Sequence, residues 1–425
     1  MTMIITPYRQ AALISGRRFA LPRAAVLCAI LCIPMSMPLM AATDALSYKK
    51  QTLMINGMKR TVRIPTGYTL EVLTSSLDGP RLLTFADNGD LFMGSKSGKV
   101  YRLPPPYNRP QVLIKLDKYP HSVAFRPGEI LIAQEDGLYR APYWPGKQRL
   151  SRQELSLLAV LPHGGKGHIS RTVRIGPDGR VYVSLGIRGN CSNQYLHSSY
   201  PFMARRGGVL VLKEDGGNPY WETYASGLRN PVGFDWHPKT KVMYAGNNGP
   251  GGVYASDNGS GSDPDQPPEY FSRLNWGSFH GMPWFQYIEG KLQRDPCIKS
   301  NPPRPKEDVV LPAVTFPAHS APMAVTFVPR GTLDPKLNGD AIVALRGSYE
   351  APRADPTTRR PPSVAAVRFN HRGKPRRVDN LITGFQLKNG QRWARPVGLA
   401  IGPDGALYFS SDFGANTLFR LRRNQ

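Results

Sequence analysis

Two loop segments carry side chains that could do chemistry together. The first, Lys166-Gly-His168-Ile-Ser-Arg171, closes a glycine-rich loop and runs directly into a strand with the turn Gly176-Pro-Asp-Gly. A histidine at that point stands at the rim of a sheet, on backbone free to approach a ligand closely. The second, Gly227-Leu-Arg229-Asn230-Pro-Val-Gly-Phe234, places an arginine and an amide ahead of another strand. A proton acceptor, fixed cations and an amide suit an anionic ligand and removal of a proton. Taken singly, each has a plain structural reading: a loop histidine usually serves the fold, and a loop arginine usually caps a carbonyl.

What positions these loops is a repeated unit. It consists of an apolar strand, a turn rich in Pro, Asp, Asn and Gly, and a second strand ending in an aromatic or aliphatic residue. Copies begin at Leu83, Val123, Val173, Gly233, Ala324 and Leu399, and the last (Leu399 to Tyr408) is the most regular. A further strand follows most copies and another precedes several, as at Lys99–Leu103 and Gln111–Ile114. Four strands in each of six units predict an all-β fold, a six-bladed β-propeller of four-stranded antiparallel blades. A pair of β-sandwiches fits the repetition less well. Loops entering the inner strands then open on one face around the channel, and these loops hold His121, His168, Arg229, Asn230 and Arg395. Arg346 follows the inner part of the fifth unit.

Composition bounds the setting. Gly 42 and Pro 41 make up about a fifth of the 425 residues, scattered between short apolar runs as many short strands require. Residues 1–42 contain Arg9, Arg17, Arg18 and Arg23, no acidic residue and no lysine, then an apolar run interrupted by Pro34 and Pro38 and ended by Ala41-Ala42. This predicts a cleaved signal peptide over 1–42, a single propeller domain over 43–425, and a periplasmic or secreted protein without a stable membrane anchor. Removing that segment lowers the formal charge from +25 to +21. The excess favours anionic ligands. Basic runs interleaved with aromatics are missing, so nucleic acid is not the expected partner. Cys191 and Cys297 remain, and in an oxidising compartment they are expected to form a disulfide. Asp257, Asp263, Asp265 and Glu269 form an acidic stretch that reads first as a solvated loop, with a structural Ca²⁺ site as the alternative.

At this level of detail the chain resembles the soluble quinoprotein sugar dehydrogenases, six-bladed propellers dependent on pyrroloquinoline quinone (PQQ), and within them the sorbosone dehydrogenase-like branch. The likeness spans residues from about 65 to 423. It rests on Gly227-Leu-Arg-Asn-Pro-Val-Gly with Trp236-His-Pro, on Asn248-Gly249-Pro250, on His319-Ser-Ala-Pro322, on Arg346-Gly-Ser348 and on Arg395-Pro-Val-Gly398. The resemblance implies that His168 is the general base for a sugar hydroxyl, with hydride passing to the quinone. It implies that Arg229 stabilises the developing negative charge, and that Asn230, Arg346 and Arg395 hold PQQ. Backbone carbonyls of Gly249 and Pro250 would bind a Ca²⁺ that polarises the quinone oxygen. Substrates implied are sugars or related alcohols and aldehydes, with room for a soluble electron acceptor. Four positions depart from the family pattern: Gly167 for an Asp, Arg188 for a Gln, Arg346 for a Lys and Val397 for an Arg. A non-enzymatic basic propeller that binds a polyanion or partner protein, and a Ca²⁺-dependent lactonase-like hydrolase, are the alternatives.

Overall fold

The computed structural model describes residues 45–165, 167–250, 265–349 and 355–424. Six four-stranded antiparallel arrays make the blades of a β-propeller. The first blade is built from Pro80–Phe85, Leu91–Ser95, Lys99–Leu103 and Gln111–Lys115, and the second from Ser122–Arg126, Glu129–Ala133, Gly137–Pro142 and Ser156–Val160. The third has Arg171–Ile175, Val181–Leu185, Gly208–Lys213 and Tyr220–Ser226; the fourth has Gly233–Trp236, Met243–Asn247, Glu269–Leu274 and Val314–Phe316. The fifth runs through Pro322–Phe327, Ala341–Leu345, Ser363–Phe369 and Pro375–Ile382. In the sixth, Pro396–Ile401, Leu407–Ser411 and Thr417–Arg423 are completed by Tyr68–Thr74 from the other end of the chain. That pairing closes the ring by joining the two ends of the chain in one sheet.

Burial explains the sequence pattern. Second strands such as Leu91–Ser95, Val181–Leu185 and Ala341–Leu345 are buried at every position, because each blade is packed on both faces by its neighbours. They therefore read as unbroken small and apolar runs rather than alternating ones. Outer strands such as Gln111–Lys115 and Ser156–Val160 keep exposed positions. The Pro-Asp-Gly turns sit between first and second strands, on the face opposite the candidate site. In two of them the chemistry is the same: Tyr182 donates to Asp178 and Tyr408 to Asp404, each at 2.9 Å. Those tyrosine rings bridge to the next blade, Tyr182 against Trp236 at 5.2 Å and Tyr408 against Phe85 at 5.1 Å. Such edge-to-face pairs are worth about 0.5–1.5 kcal/mol beyond their buried area.

Three stretches among the described residues add to the six blades. A hairpin of Tyr48–Ile55 and Met58–Pro65 packs Leu53, Ile55, Val62 and Ile64 into the largest core cluster. An insertion between Leu185 and Gly208 and another between Leu274 and Val314 enlarge blades three and four; the latter contains a hairpin of Phe285–Ile288 and Lys291–Arg294. Ser278–Phe279 of this insertion pairs in parallel with the outer strand of blade three. The disulfide Cys191–Cys297 ties the two insertions together, with Cα atoms 5.4 Å apart. Closing a loop of 106 residues is nominally worth about 4–5 kcal/mol in the chain-entropy picture.

Candidate functional site

Loops on one face, drawn from those after fourth and second strands, converge on a cavity of about 820 Å³. His168, Arg229, Asn230, Gly249, Pro250, Arg346 and Arg395 all line it, whereas His121 does not. Arg81, Lys96, Tyr119, Glu269 and His319 join them.

His168 is held in one tautomer. Its Nδ1 lies 2.6 Å from the Ile187 carbonyl, which can only accept, so Nδ1 carries the proton and Nε2 is the ring's acceptor. Burial, and then the charge of Arg229, push its pKa down to about 4, leaving the ring neutral at ordinary pH. Two glycines make this placement possible. A Cβ on Gly186 would lie 2.5 Å from Asn230 Oδ1 and 2.8 Å from His168 Cβ, so the approach of those side chains depends on its absence. Gly167 has φ +122°, and a Cβ there would sit 1.9 Å from the Arg188 carbonyl oxygen. An aspartate cannot occupy this backbone, which accounts physically for that departure from the family pattern. Arg171 braces the same loop, its guanidinium donating to the carbonyls of Pro162, His168 and Ser170.

The opposite wall is a cluster of cations around one carboxylate. Asp412, with a fully buried side chain, meets Arg81 at 2.6 Å, Lys96 at 2.8 Å and Arg346 at 2.9 Å. Despite burial, these three cations hold its pKa well below the usual carboxylate range. Arg395 has no such partner; it donates to the carbonyls of Arg346, Gly347 and Ser348. Burial and the neighbouring Arg346 and Arg392 push its pKa down to about 8. Charge of one sign is thus concentrated in a low-dielectric wall, an arrangement that a polyanion relieves.

A third wall is suited to a cation. Asn248 fixes the Gly249–Pro250 segment by donating to the carbonyls of Asn230 (3.1 Å) and Pro322 (2.7 Å). Glu269 is buried beneath it and accepts from the Gly249 N–H at 2.5 Å, with the His319 and Ala321 N–H groups also directed at its carboxylate. Burial raises its pKa to about 7 in spite of these donors. His319 and Ala321 adopt φ of +62° and +52°, and Tyr119 on the cavity wall has +53°. Left-handed conformations cost about 1–2 kcal/mol at non-glycine residues, and such strain concentrates at functional sites.

Some readings of the sequence need revision. His121 does not face the cavity: it is fully buried, accepts from Arg81 at Nε2 and sits 3.1 Å from the Arg171 carbonyl through Nδ1. Both ring nitrogens are spent on the scaffold. The acidic stretch also divides. Asp265 is an exposed ion-pair partner of Arg360 at 2.6 Å, whereas Glu269 lines the cavity; Asp257 and Asp263 lie outside the described residues, as does Lys166. No group of three or more His, Cys, Asp or Glu that could hold a metal occurs among the described residues. Val397 belongs to the core. Arg188 is exposed and donates its Nε to the Gly164 carbonyl, while its backbone N–H donates to the Gln194 side chain. Asp412 and Arg81 were not singled out by sequence; the sole hint was a charged residue at the end of an otherwise apolar strand.

Residues 293–424 match the TrAA12-like family model. Over 385 residues the chain is 22% identical to an uncharacterized protein of Borreliella burgdorferi, covering 87% of this chain and 93% of that one. Among solved structures, the calcium structure of Trichoderma reesei Carbohydrate-Active Enzymes Family AA12 superposes with a TM-score of 0.71 at 18% identity, over 89% of this chain and 98% of the other. The holo form of the pyranose dehydrogenase PQQ domain from Coprinopsis cinerea gives 0.70 at 20% identity, over 86% and 97%. At these identities the likeness establishes the propeller fold. The resemblance drawn from the motifs and the comparisons point to the same group of proteins.

Proposed function

We propose that this protein is an oxidoreductase that oxidises a sugar or related alcohol or aldehyde, using PQQ and Ca²⁺ bound in the cavity on the loop face. One observation carries the reading. A neutral histidine with an oriented Nε2, an excess of buried cations and a pair of backbone carbonyls beside a buried carboxylate line one space. Those are the donors that a tricarboxylate quinone and a hard cation need. The names of the structural neighbours, an AA12 calcium structure and a PQQ-domain pyranose dehydrogenase, support the same assignment.

When bound, PQQ supplies the two-electron acceptor and Ca²⁺ a Lewis acid at its carbonyl oxygen. His168 Nε2 takes the hydroxyl proton from the substrate carbon undergoing oxidation, and Nδ1 stays committed to Ile187 so that the ring does not turn. Arg229, its Nε anchored on Asn190 Oδ1 at 2.9 Å, offers a fixed positive charge where negative charge develops. Arg346 and Arg395, with Arg81 and Lys96 around them, hold carboxylates, and Asn230 orients the ring system. The Gly249 and Pro250 carbonyls bind the cation, with Glu269 supplying a compensating negative charge. Glu269 is the single carboxylate among the described lining residues, which favours this chemistry over a lactonase built on several acidic ligands.

Export of the mature chain fits the signal-like residues 1–42, and the Cys191–Cys297 bridge supports an oxidising compartment. The test is dye-linked turnover with PQQ and millimolar Ca²⁺ over a panel of aldoses, alditols and aldehydes. Cofactor-dependent reduction of the dye that vanishes in His168→Ala supports the proposal. Turnover of a lactone without PQQ would replace it with hydrolysis.

A further inference from the structure

A second concavity, larger than the central one at about 1210 Å³, follows the outer strand of blade three. It exceeds the roughly 300–1,000 Å³ usual for a pocket that holds one small molecule. Its walls are the outer strand itself, the blade-three insertion from His197 to Arg205, and Gly277, Pro303 and Arg304 of the blade-four insertion. The disulfide joins the two insertions that form it.

Rings dominate the surface. Tyr220 is 49% exposed and Phe202 37%, while Trp221 and Tyr200 are half-buried. The Trp221 indole is fixed by donating to the Val160 carbonyl at 2.8 Å, and Tyr195 beneath is anchored by the Ser226 hydroxyl at 3.1 Å. Ser198 and Ser199 also line the groove. Two of the charged groups here are paired: Glu222 with Lys213 at 3.0 Å and Arg304 with Asp308 at 3.0 Å. Arg205 spends Nε and one terminal nitrogen on the carbonyls of Tyr200 and Ser198. The central cavity, with its uncompensated cations, selects an anion; this groove does not.

We infer that the groove binds a neutral oligosaccharide chain. Fixed aromatic faces accept the C–H faces of pyranose rings, and the interspersed hydroxyls and peptide groups meet their equatorial hydroxyls. A concavity of about 1210 Å³ has room for several linked sugars. An aliphatic peptide would find few aliphatic side chains, and a nucleic acid would find no free cationic track. The inference deepens the proposed sugar oxidation by naming a chain as the substrate class. The two sites draw on the same segments: the outer strand Tyr220–Ser226 leads into Arg229 and Asn230, and the blade-three insertion gives Gly189 and Asn190 to the cavity.

The test uses the mature protein, with and without PQQ and Ca²⁺, titrated with cellotetraose, xylotetraose, maltotetraose and chitotetraose by calorimetry and tryptophan fluorescence. Saturable binding of at least one of them, without need of cofactor, is expected. A Phe202→Ala/Tyr220→Ala double variant, altered at two exposed positions, should weaken it about tenfold, the effect of losing two stacking rings. PQQ affinity, measured in the same samples, should be unchanged. Absence of binding by all four chains, or binding undiminished in the double variant, overturns the inference. Oligosaccharide binding in a protein that fails to bind PQQ would leave the groove assignment standing and refute the quinoprotein reading alone.

Discussion

The two faces of the propeller treat buried charge in opposite ways. On the face of the Pro-Asp-Gly turns, a buried arginine has a carboxylate of its own: Arg102 pairs with Asp90 at 2.7 Å and Arg368 with Asp340 at 2.6 Å. On the loop face, Arg171, Arg206 and Arg395 are buried against backbone carbonyls, and Arg81 shares Asp412 with Lys96 and Arg346. Backbone geometry does not follow this division: left-handed non-glycine residues occur on both faces, Tyr107, Lys241 and Leu333 on the turn face and Tyr119, His319 and Ala321 on the loop face. A folded chain tolerates such a site when the stable remainder fixes it. The candidate site thus lies on the face where buried cations outnumber the carboxylates beside them.

The sharpest way to test that division is to remove the base. His168→Ala is expected to lower turnover by about 10²–10⁴-fold while leaving PQQ affinity and the unfolding midpoint near wild type, as read by steady-state assay and titration. Next in size, Asp412→Asn leaves three crowded cations without their anion, and breaking a buried pair in this way costs about 3–5 kcal/mol. Denaturant unfolding should show that loss, and added PQQ should restore part of it, since its carboxylates replace the one removed. The matching change on the other face, Asp404→Ala, frees the Tyr408 hydroxyl and the Ala406 N–H and should cost about 1–3 kcal/mol, with no recovery on adding PQQ. Equal recovery in both variants would erase the contrast. The smallest effect concerns pH. With its pKa near 4, His168 is neutral and able to accept a proton above that value, so kcat/KM should fall as pH drops through about 4. Arg229→Gln removes a cation that helps depress this value, and the limb should move upward toward 6.5, partway only, because burial remains the larger cause.

Much of this was legible in the sequence, and the reasons differ by region. Blades were visible because the fully buried second strands and the Gly-Pro-Asp-Gly turns write their packing into short contiguous stretches. Gly176 and Gly402 are part of that signal, since a Cβ at either would strike the ring of Tyr182 or Tyr408 within 2.7 Å. The residues lining the cavity were legible because topology alone sends all loops preceding inner strands to one face. Side-chain direction was not. His121 immediately precedes its strand and turns into the blade interface, whereas His168 stands three residues ahead of Arg171 on glycine-rich backbone and turns outward. Glu269 was hidden by its acidic neighbours, because its partners at Gly249, His319 and Ala321 are distant in sequence. The hairpins at Tyr48–Pro65 and Phe285–Arg294 carry mixed polar and apolar positions and lack the repeat's turn, so the periodic signal passed over them.

The central claim is that the loop-face cavity is built for a polyanionic quinone beside a divalent cation. Calorimetric titration of the mature protein with PQQ, at several Ca²⁺ concentrations, measures it most directly. The account predicts saturation at one equivalent, tighter binding as Ca²⁺ rises, and a marked loss of affinity when Arg395 is replaced by Leu. Absence of saturable binding at every Ca²⁺ concentration, in a protein whose unfolding shows it to be intact, would contradict it.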